Sequence, residues 1–570
     1  MVAFVRLNKK LSNKHKQRVA LLVQQAMRAY LADQYANAEK NCHAILKLDS
    51  SNPDACNLLG KIAEKHGDSD KANECYLLGV KQHPKHLGLL ASLALLSGKS
   101  GNPESAALYW QKLAELQPKN PDVWQAFSAQ LSTLEQWEMA ETAGSHAIKL
   151  APKRDVLHLN MGRILHKQLR HDEAICSLNQ AIKLAPDNED AYYELAMVTL
   201  ENGALDEAFE TFNTLITLNT GHAYALFRLL RFKKATHYDK AMQLSEELIQ
   251  SPSSEPWEKS LLSFGLGKAW EDLKDYDKSF YFYAEGNRNT RQTIEFDVKK
   301  IRRQTDETKK LFTAQLLAGL CADRTGGDEL VFIVGMPRSG STLISSILSA
   351  HPRAISTGES DILSNIVGEL TNSDCDHIGL HNLSQISGEQ LEIAAEKYRS
   401  TILSAFGKSD KYIDKALLNL WLCGFIHLLF PNAKILHCSR HPLDNCFSIF
   451  ANPLEGSGFT FAYSMEEIGA YYRSYLDIMA HWRKVLPDGT LYDISNERLI
   501  MAPEEESRRI VEFCGLDWHE SCLNFHTSKQ IVQTSSLAQV RQPINNTSVE
   551  RWKRFEKHLQ PLIDALGDAV

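Results

Sequence analysis

A repeat of 34 residues runs through the first part of this chain and limits what that part can fold into. Alanines recur at this interval without a slip, at Ala38, Ala72, Ala106, Ala140, Ala174 and Ala208. Prolines keep the same step, at Pro84, Pro118, Pro152 and Pro186. A fixed period of this length indicates copies of one small unit stacked in a row, because each unit alone cannot bury its apolar face.

Each repeat has the residues of a helix–turn–helix. Small residues such as Gly60, Ala94 and Gly162 lie twelve positions before an alanine and let the paired helices approach closely. The prolines end the second helix, since proline cannot continue the hydrogen-bond ladder. This layout resembles the tetratricopeptide repeat (TPR). The resemblance implies a right-handed superhelix whose concave face binds a peptide or partner protein.

The repeat pattern divides the chain. Six repeats in register cover about residues 19–222, a seventh that is one residue short surrounds Tyr238–Ala241, and an eighth covers 265–287. The predicted regions are an all-α TPR solenoid of six to eight repeats over 1–290, a charged helical linker over 291–327 and a different domain over 328–570.

Composition excludes several classes of protein. The net charge of −7 argues against a general nucleic-acid binder, because phosphate contacts need a concentrated basic surface. No apolar run approaches the roughly 18 residues of a transmembrane helix, and the N-terminus lacks the apolar stretch of a signal peptide. The 11 cysteines include no Cys-x-x-Cys, and the 21 histidines form no metal-binding motif. We therefore expect no metal site, no disulfide framework and a cytoplasmic location.

The C-terminal domain begins with a strand, a glycine-rich turn and a helix. The apolar run ELVFIV is typical of a buried parallel strand, and GMPRSGST follows it before a helical pattern. This arrangement directs backbone N–H groups at an anion. Ser339, Ser341 and Thr342 add hydroxyl donors, and Arg338 adds a planar guanidinium suited to phosphate or sulfate oxygens.

The spacing of Gly335 and Gly340 equals that of a Walker A loop, but Ser341 stands where such a loop has lysine. A P-loop kinase or ATPase needs that lysine on the terminal phosphates of its nucleotide. A kinase is therefore the least favoured interpretation of this turn.

The strand and turn together resemble the donor-binding loop of sulfotransferases that use 3′-phosphoadenosine 5′-phosphosulfate (PAPS). Over about residues 328–555 the chain is similar to tyrosylprotein sulfotransferases, and the repeats fit the sulfotransferases that carry a TPR array. The resemblance implies a P-loop-like, three-layer α/β domain with a parallel sheet. It assigns the 5′-phosphosulfate to Pro337, Arg338, Ser339, Gly340, Ser341, Thr342 and Leu343.

Three further segments carry the resemblance. The strand and helix of KILHCSRHPLDNCFSIF supply Arg440 and Ser448, which in the family bind the 3′-phosphate. An arginine beside a helix N-terminus suits an anion. Lys415, at the end of the strand Tyr-Ile-Asp, matches a lysine that contacts the transferring sulfuryl group. In the C-terminal segment, Ser536 and Arg551 match positions that help to bind the cofactor.

The catalytic base has two candidates. Tyrosylprotein sulfotransferases have Gly-Glu-Glu after the first helix and use the second Glu as base, whereas this chain has Gly358-Glu359-Ser360-Asp361. Ser360 cannot serve as a base. Glu359 is the first choice and Asp361 the second, and a structural alternative makes Glu359 only an acid in a first helical turn.

The sequence thus predicts a PAPS-dependent sulfotransferase that needs no metal, with Arg338, Lys415 and Glu359 as catalytic residues. A protein or peptide tyrosine is one acceptor, and a saccharide, lipid or small alcohol is equally open. The repeats would recruit the acceptor or a partner protein, and a homodimer is one oligomeric state to consider. The alternative function is a TPR scaffold whose nucleotide-binding domain has lost turnover. Predicted strands cover 329–334, 354–356, 412–414, 433–438 and 490–494.

Overall fold

The alanines of the 34-residue period lie where paired helices touch. In a computed structural model, which describes residues 13–321, 324–371, 386–454, 456–525, 544 and 547–570, all six of these alanines are fully buried. A Cβ added to Gly60 would lie 2.2 Å from the ring of Tyr76, which confirms that small residues permit the close approach. The four prolines each follow the end of a helix by two residues, as predicted.

The chain forms two compact units, one ending at Thr199 and the other beginning at Leu200. The helices that begin in the first unit are α1 (Asn13–Leu31), α2 (Tyr35–Leu48), α3 (Pro53–Lys65), α4 (Ser69–Gln82), α5 (Leu87–Lys99), α6 (Pro103–Leu116), α7 (Pro121–Thr133), α8 (Trp137–Leu150), α9 (Asp155–Lys167), α10 (His171–Leu184) and α11 (Glu189–Glu201). Consecutive helices pair as hairpins, so this part of the chain is an all-helical repeat region.

The second unit opens with seven more helices. They are α12 (Leu205–Leu218), α13 (Ala223–Phe232), α14 (Lys240–Gln250), α15 (Pro256–Asp272), α16 (Tyr276–Arg291), α17 (Val298–Leu311) and α18 (Ala314–Cys321). The structure therefore divides the chain at residue 199, whereas the sequence pattern predicts changes of domain after 290 and 327. The reason is that Phe264, Tyr283 and Ile301 belong to the same apolar core as Phe332 of the sheet.

A parallel sheet forms the centre of the second unit, and it confirms the predicted α/β class. Its strands are β1 (Leu330–Gly335), β2 (Ala354–Gly358), β3 (Lys411–Asp414), β4 (Lys434–Ser439) and β5 (Leu491–Ser495), in the order β2-β3-β1-β4-β5. All five predicted strands are present. In the register of β1 with β4, Val331 lies opposite Lys434 and Gly335 opposite Cys438.

Helices cover both faces of this sheet, which gives three layers. Alternate residues of β1 enter two different cores: Phe332 and Val334 pack on one face, and Val331 and Ile333 on the other. The helices are α19 (Ser341–Ser349), α20 (Ile362–Thr371), α21 (Gly388–Phe406), α22 (Cys423–Leu429), α23 (Pro442–Phe450), α24 (Met465–Val485), α25 (Asn496–Met501), α26 (Pro503–Phe513) and α27 (Gln560–Leu566). Short 3₁₀ segments cover Leu417–Leu422, Ser457–Tyr463, Glu520–Cys522, Arg551–His558 and Gly567–Ala569. None of the helices in the described ranges is both long and apolar enough to cross a bilayer.

Close packing of α15 on α16 makes one stability prediction. A Cβ on Gly267 would lie 2.5 Å from the ring of the fully buried Tyr283. We expect Gly267→Ala to lower the free energy of unfolding by about 1–3 kcal/mol, because overpacking a core forces its side chains to shift. Urea unfolding followed by circular dichroism measures this. Gly319→Ala in α18 is the control, since a Cβ there meets nothing within 4 Å. Equal unfolding midpoints for the two variants would contradict the prediction.

Candidate functional site

The turn after β1 has an unusual backbone conformation. Gly335 has φ +149° and Gly340 has φ +98°, and Arg338 between them has φ +67°. A Cβ on Gly335 would lie 2.5 Å from the carbonyl oxygen of Cys438, and one on Gly340 would overlap the side chain of Asn496. A left-handed arginine is uncommon, and residues in such conformations cluster at binding sites, where the surrounding structure holds them.

Two side chains that follow β4 hold this turn. The amide nitrogen Nδ2 of Asn445 donates to the carbonyl oxygen of Pro337 at 2.9 Å, and Nη1 of Arg440 donates to that of Arg338 at 3.2 Å. Strands β1 and β4 are neighbours at the point where the strand order reverses. Ligands of open parallel sheets bind outside the carboxyl ends of the strands at such a point. The turn therefore lies where the fold favours a ligand.

Positive charge accumulates around Arg338. Its Nε donates to the hydroxyl oxygen of Ser448 at 3.4 Å. Burial and, to a smaller extent, the positive charges of Arg231, Arg440 and Arg551 together lower the pKa of the Arg338 guanidinium to about 9. Like charges drawn together out of water are unfavourable, and an anion among them would relieve the repulsion. The electrostatics of this cluster suit an anionic ligand.

Two donors near the turn have no acceptor within the described part of the chain. They are the hydroxyl of Ser339, which is 1% exposed, and the Nε of Arg440. Leaving a buried donor unsatisfied costs about 1–3 kcal/mol, so buried donors without partners are rare in folded proteins. A ligand with several anionic oxygens would supply the missing acceptors. The residues present therefore fit a ligand that carries phosphate and sulfate groups.

Helix α19 adds the remaining residues of the predicted loop. It begins at Ser341, directly after Gly340. Its first turn contains Ser341, Thr342 and Leu343, and the first N–H groups of a helix have no partner within that helix. These N–H groups and the helix dipole favour an anion beside the turn.

The two strands on the other side of β1 bring the predicted acid and lysine together. Glu359 follows β2 and Lys415 follows β3, and Nζ of Lys415 lies 2.5 Å from Oε1 of Glu359. The lysine side chain is only 4% exposed, whereas the glutamate is 54% exposed. The ion pair therefore joins a buried ammonium group to a carboxylate that solvent and an acceptor can reach.

Asp361, the second candidate base, faces a different environment. Burial, with a smaller contribution from the negative charge of Asp361, raises the pKa of Asp414 to about 6. Asp361 therefore lies near Asp414, whose carboxylate accepts hydrogen bonds from the Tyr398 hydroxyl and the Ala416 amide. Of the two candidates, Glu359 is the one in an ion pair with Lys415.

The structure gives Arg551 an acidic partner and does not describe Ser536. Two nitrogens of the Arg551 guanidinium donate to the carboxylate of Glu271 in α15: Nε to Oε1 at 2.7 Å, and Nη2 to Oε2. This pairing raises the pKa of Arg551. Ser536 lies outside the described residues. The other predicted cofactor residues lie on the turn, at the start of α19, directly after β4 (Arg440) or in α23 (Ser448).

Several residues of the site were not predicted from the sequence. Asn445 holds the turn, Asn496 covers Gly340, and Asn452 links Ser448 to Arg231 of α13. Asn445 and Asn452 lie in or just after the helix that carries Ser448, so their nearness to Ser448 was a usable signal. No local pattern could have indicated Arg231, which lies 221 residues from Asn452.

Comparison with known proteins agrees with this geometry. Residues 330–520 match the family model described as the sulfotransferase family, and residues 162–203 match the model of the TPR repeat. The matched sulfotransferase segment contains the turn, Glu359, Lys415, Arg440 and Ser448.

Related proteins have been recorded in several organisms. An uncharacterized protein of Aquifex aeolicus is 29% identical over 76% of this chain and 58% of its own length. Protein-tyrosine sulfotransferase A of Caenorhabditis elegans is 25% identical over 39% of this chain and 60% of its own. The protein-tyrosine sulfotransferase of Drosophila melanogaster is 25% identical over 42% of this chain and 51% of its own. The chain thus spans between half and two thirds of the length of these relatives. Its C-terminal part is thus similar to the sulfotransferase family over residues 330–520, and its N-terminal part is similar to the TPR repeat over residues 162–203.

Proposed function

We propose that this chain is a PAPS-dependent sulfotransferase that transfers a sulfuryl group to an acceptor hydroxyl. The observation that carries the proposal is the cluster around Arg338. The turn that contains this left-handed residue lies at the switch point of the sheet, and burial together with three further arginines lowers the pKa of the Arg338 guanidinium. The match to the sulfotransferase family covers this turn.

PAPS would supply an activated sulfuryl group on a phosphate oxygen. The backbone N–H groups from Ser339 to Thr342, with the Arg338 guanidinium and the Ser339 hydroxyl, would bind its phosphosulfate end. Arg440 and Ser448 would bind the second phosphate. Preorganised donors of this kind, aimed at growing negative charge, are each worth roughly 10²–10³ in rate. Pro337 and Leu343 complete the loop, and Ser536 and Arg551 remain proposed contacts.

Glu359 would act at the acceptor and Lys415 at the leaving group. The Oε1 atom of Glu359 would accept the proton of the acceptor hydroxyl, and Nζ of Lys415 would stabilise charge that grows on the leaving oxygen. Their ion pair, with 2.5 Å between the two atoms, holds the ammonium group beside the carboxylate. Proton acceptance by Glu359 would weaken this pair and release the ammonium charge toward the leaving group.

The acceptor we propose is a tyrosine hydroxyl in a protein or peptide. Support comes from the relatives named as protein-tyrosine sulfotransferases. The repeats would recruit that acceptor, or a partner that presents it, through their concave face.

A non-catalytic scaffold is the second candidate. The observation in its favour is that Ser360 stands where tyrosylprotein sulfotransferases have their base, and that Glu359 is engaged by Lys415. In that case the domain would bind nucleotide and the repeats would bind a partner, without turnover.

Two measurements on the full chain separate these functions. We expect calorimetry to show binding of 3′-phosphoadenosine 5′-phosphate (PAP) with a Kd of about 1–10 μM, equivalent to about 7–8 kcal/mol. We also expect radiolabelled PAPS to transfer its label to tyrosine peptides. Binding of PAP without transfer to tyrosine, saccharide or alcohol acceptors would favour the scaffold. Absence of PAP binding would refute both functions.

A further inference from the structure

We propose that Arg231, in the first helix of the predicted seventh repeat, is a positioning residue of the donor site. The inference deepens the proposed function and rests on it. Arg231 belongs to α13, about 100 residues before the segment that matches the sulfotransferase family. The last repeats would then be part of the donor site in addition to any role in recruiting a partner.

A chain of three hydrogen bonds connects Arg231 to Arg338. The Nη2 atom of Arg231 donates to Oδ1 of Asn452. The Nδ2 atom of the same amide donates to the carbonyl oxygen of Ser448 at 2.6 Å, and the Ser448 hydroxyl accepts from Nε of Arg338. Asn452 is 3% exposed and Ser448 is 4% exposed. Arg231 therefore fixes the orientation of the Asn452 amide and, through it, the end of α23 that carries Ser448.

Arg231 also adds charge to the site. It is the first of the three arginines whose charge lowers the pKa of Arg338. Among the described residues, the carboxylate whose charge acts on Arg231 is that of Glu271, and both oxygens of this carboxylate bind Arg551. Burial lowers the pKa of Arg231 too. An arginine that only stabilised the fold would be expected to have its own carboxylate, whereas Arg231 has a neutral amide that leads to the turn.

The same helix offers a matched control. Arg228 lies one turn earlier on α13, and its guanidinium packs against the rings of Phe227 and Phe232. It is not among the charges that act on Arg338. Arg228→Gln and Arg231→Gln therefore remove the same charge from the same helix, and only the second breaks the link to Asn452.

Calorimetric titration of the full chain with PAP at two salt concentrations tests the proposal. We expect Arg231→Gln to weaken binding about tenfold to one-hundredfold, and to reduce its salt dependence because a charge is lost. We expect Asn452→Ala to weaken binding with an unchanged salt dependence, and Arg228→Gln to bind within about twofold of wild type. The double variant Arg231→Gln/Asn452→Ala should bind PAP at most about twofold more weakly than Arg231→Gln alone, because both changes break the same chain of contacts.

Wild-type affinity and salt dependence in a folded Arg231→Gln protein would overturn the proposal. If that variant does not fold, Asn452→Ala decides, since an unchanged affinity there would break the connection just as well. Failure of the wild-type chain to bind PAP would instead refute the proposed function, so the two failures are distinguishable.

Discussion

Arg338→Ala is expected to weaken PAP binding at least about one-hundredfold, because it removes the guanidinium that the fold places at the switch point of the sheet. Alanine and arginine both carry a Cβ, so the backbone strain at φ +67° is the same in both proteins. The substitution therefore tests the guanidinium group alone. Calorimetry with the full chain measures the change. Arg353→Ala is the matched control, since Arg353 is exposed at the amino end of β2 and pairs with Asp410.

The same substitution should have the opposite effect on the ligand-free protein. The pKa of Arg338 is lowered from the ordinary value of an arginine to about 9 in the folded state, mainly by burial. The folded state then binds fewer protons than the unfolded state between these two values, so stability rises with pH there. At pH 7 the charge is present in both states and opposes folding. We therefore expect Arg338→Ala to raise the Tm without ligand and to lose the further rise that PAP gives the wild type.

A Tm that falls in the ligand-free variant would contradict this account. Arg338 would then be a structural residue that holds Ser448 and the turn. Undiminished binding of PAP by Arg338→Ala would remove the proposed donor site altogether.

The fold could be predicted largely because its signals are local. The strand ELVFIV is apolar on both faces and ends in a turn that contains Gly335 and Gly340, so both its class and its boundary can be read from neighbouring residues. The spacing of the alanines gives the repeats in the same way. The compact units could not be read, since the burial of Phe264 and Tyr283 in the core of the sheet domain depends on residues far along the chain.

Site residues that belong to a sequence motif could be predicted. Contacts that form only when distant segments fold together could not. Arg338, Arg440 and Ser448 lie on two motifs, and the order of the strands brings those motifs together. The ion pair of Lys415 with Glu359 needs β2 and β3 to be neighbours, which sequence order alone does not give. The partner of Arg551 comes from α15, and its identity depends on how helices of the predicted repeats pack within the second unit.

Glu359→Gln is expected to lower kcat by about 10²–10⁴ with PAP affinity unchanged, because glutamine cannot accept the proton of the acceptor. The amide oxygen can still accept a hydrogen bond from Nζ of Lys415, now 2.5 Å from Oε1, so the position of the lysine is kept. Steady-state transfer of label from PAPS to a tyrosine peptide measures kcat, and calorimetry measures affinity. Asp361→Asn is the control, since it removes one carboxylate two residues away and leaves the ion pair intact.

The pH profile of kcat distinguishes a base from a residue that only positions Lys415. A catalytic carboxylate must be ionised, so the wild-type rate should fall on the acid side, and Glu359→Gln should lose that limb. A rate that falls with an unchanged acid limb would make Glu359 a positioning residue. If Asp361→Asn has the larger effect, Asp361 is the base and the ion pair of Glu359 with Lys415 only holds the ends of two neighbouring strands. Full activity in both variants would show that the acceptor loses its proton to solvent or to its own substrate groups.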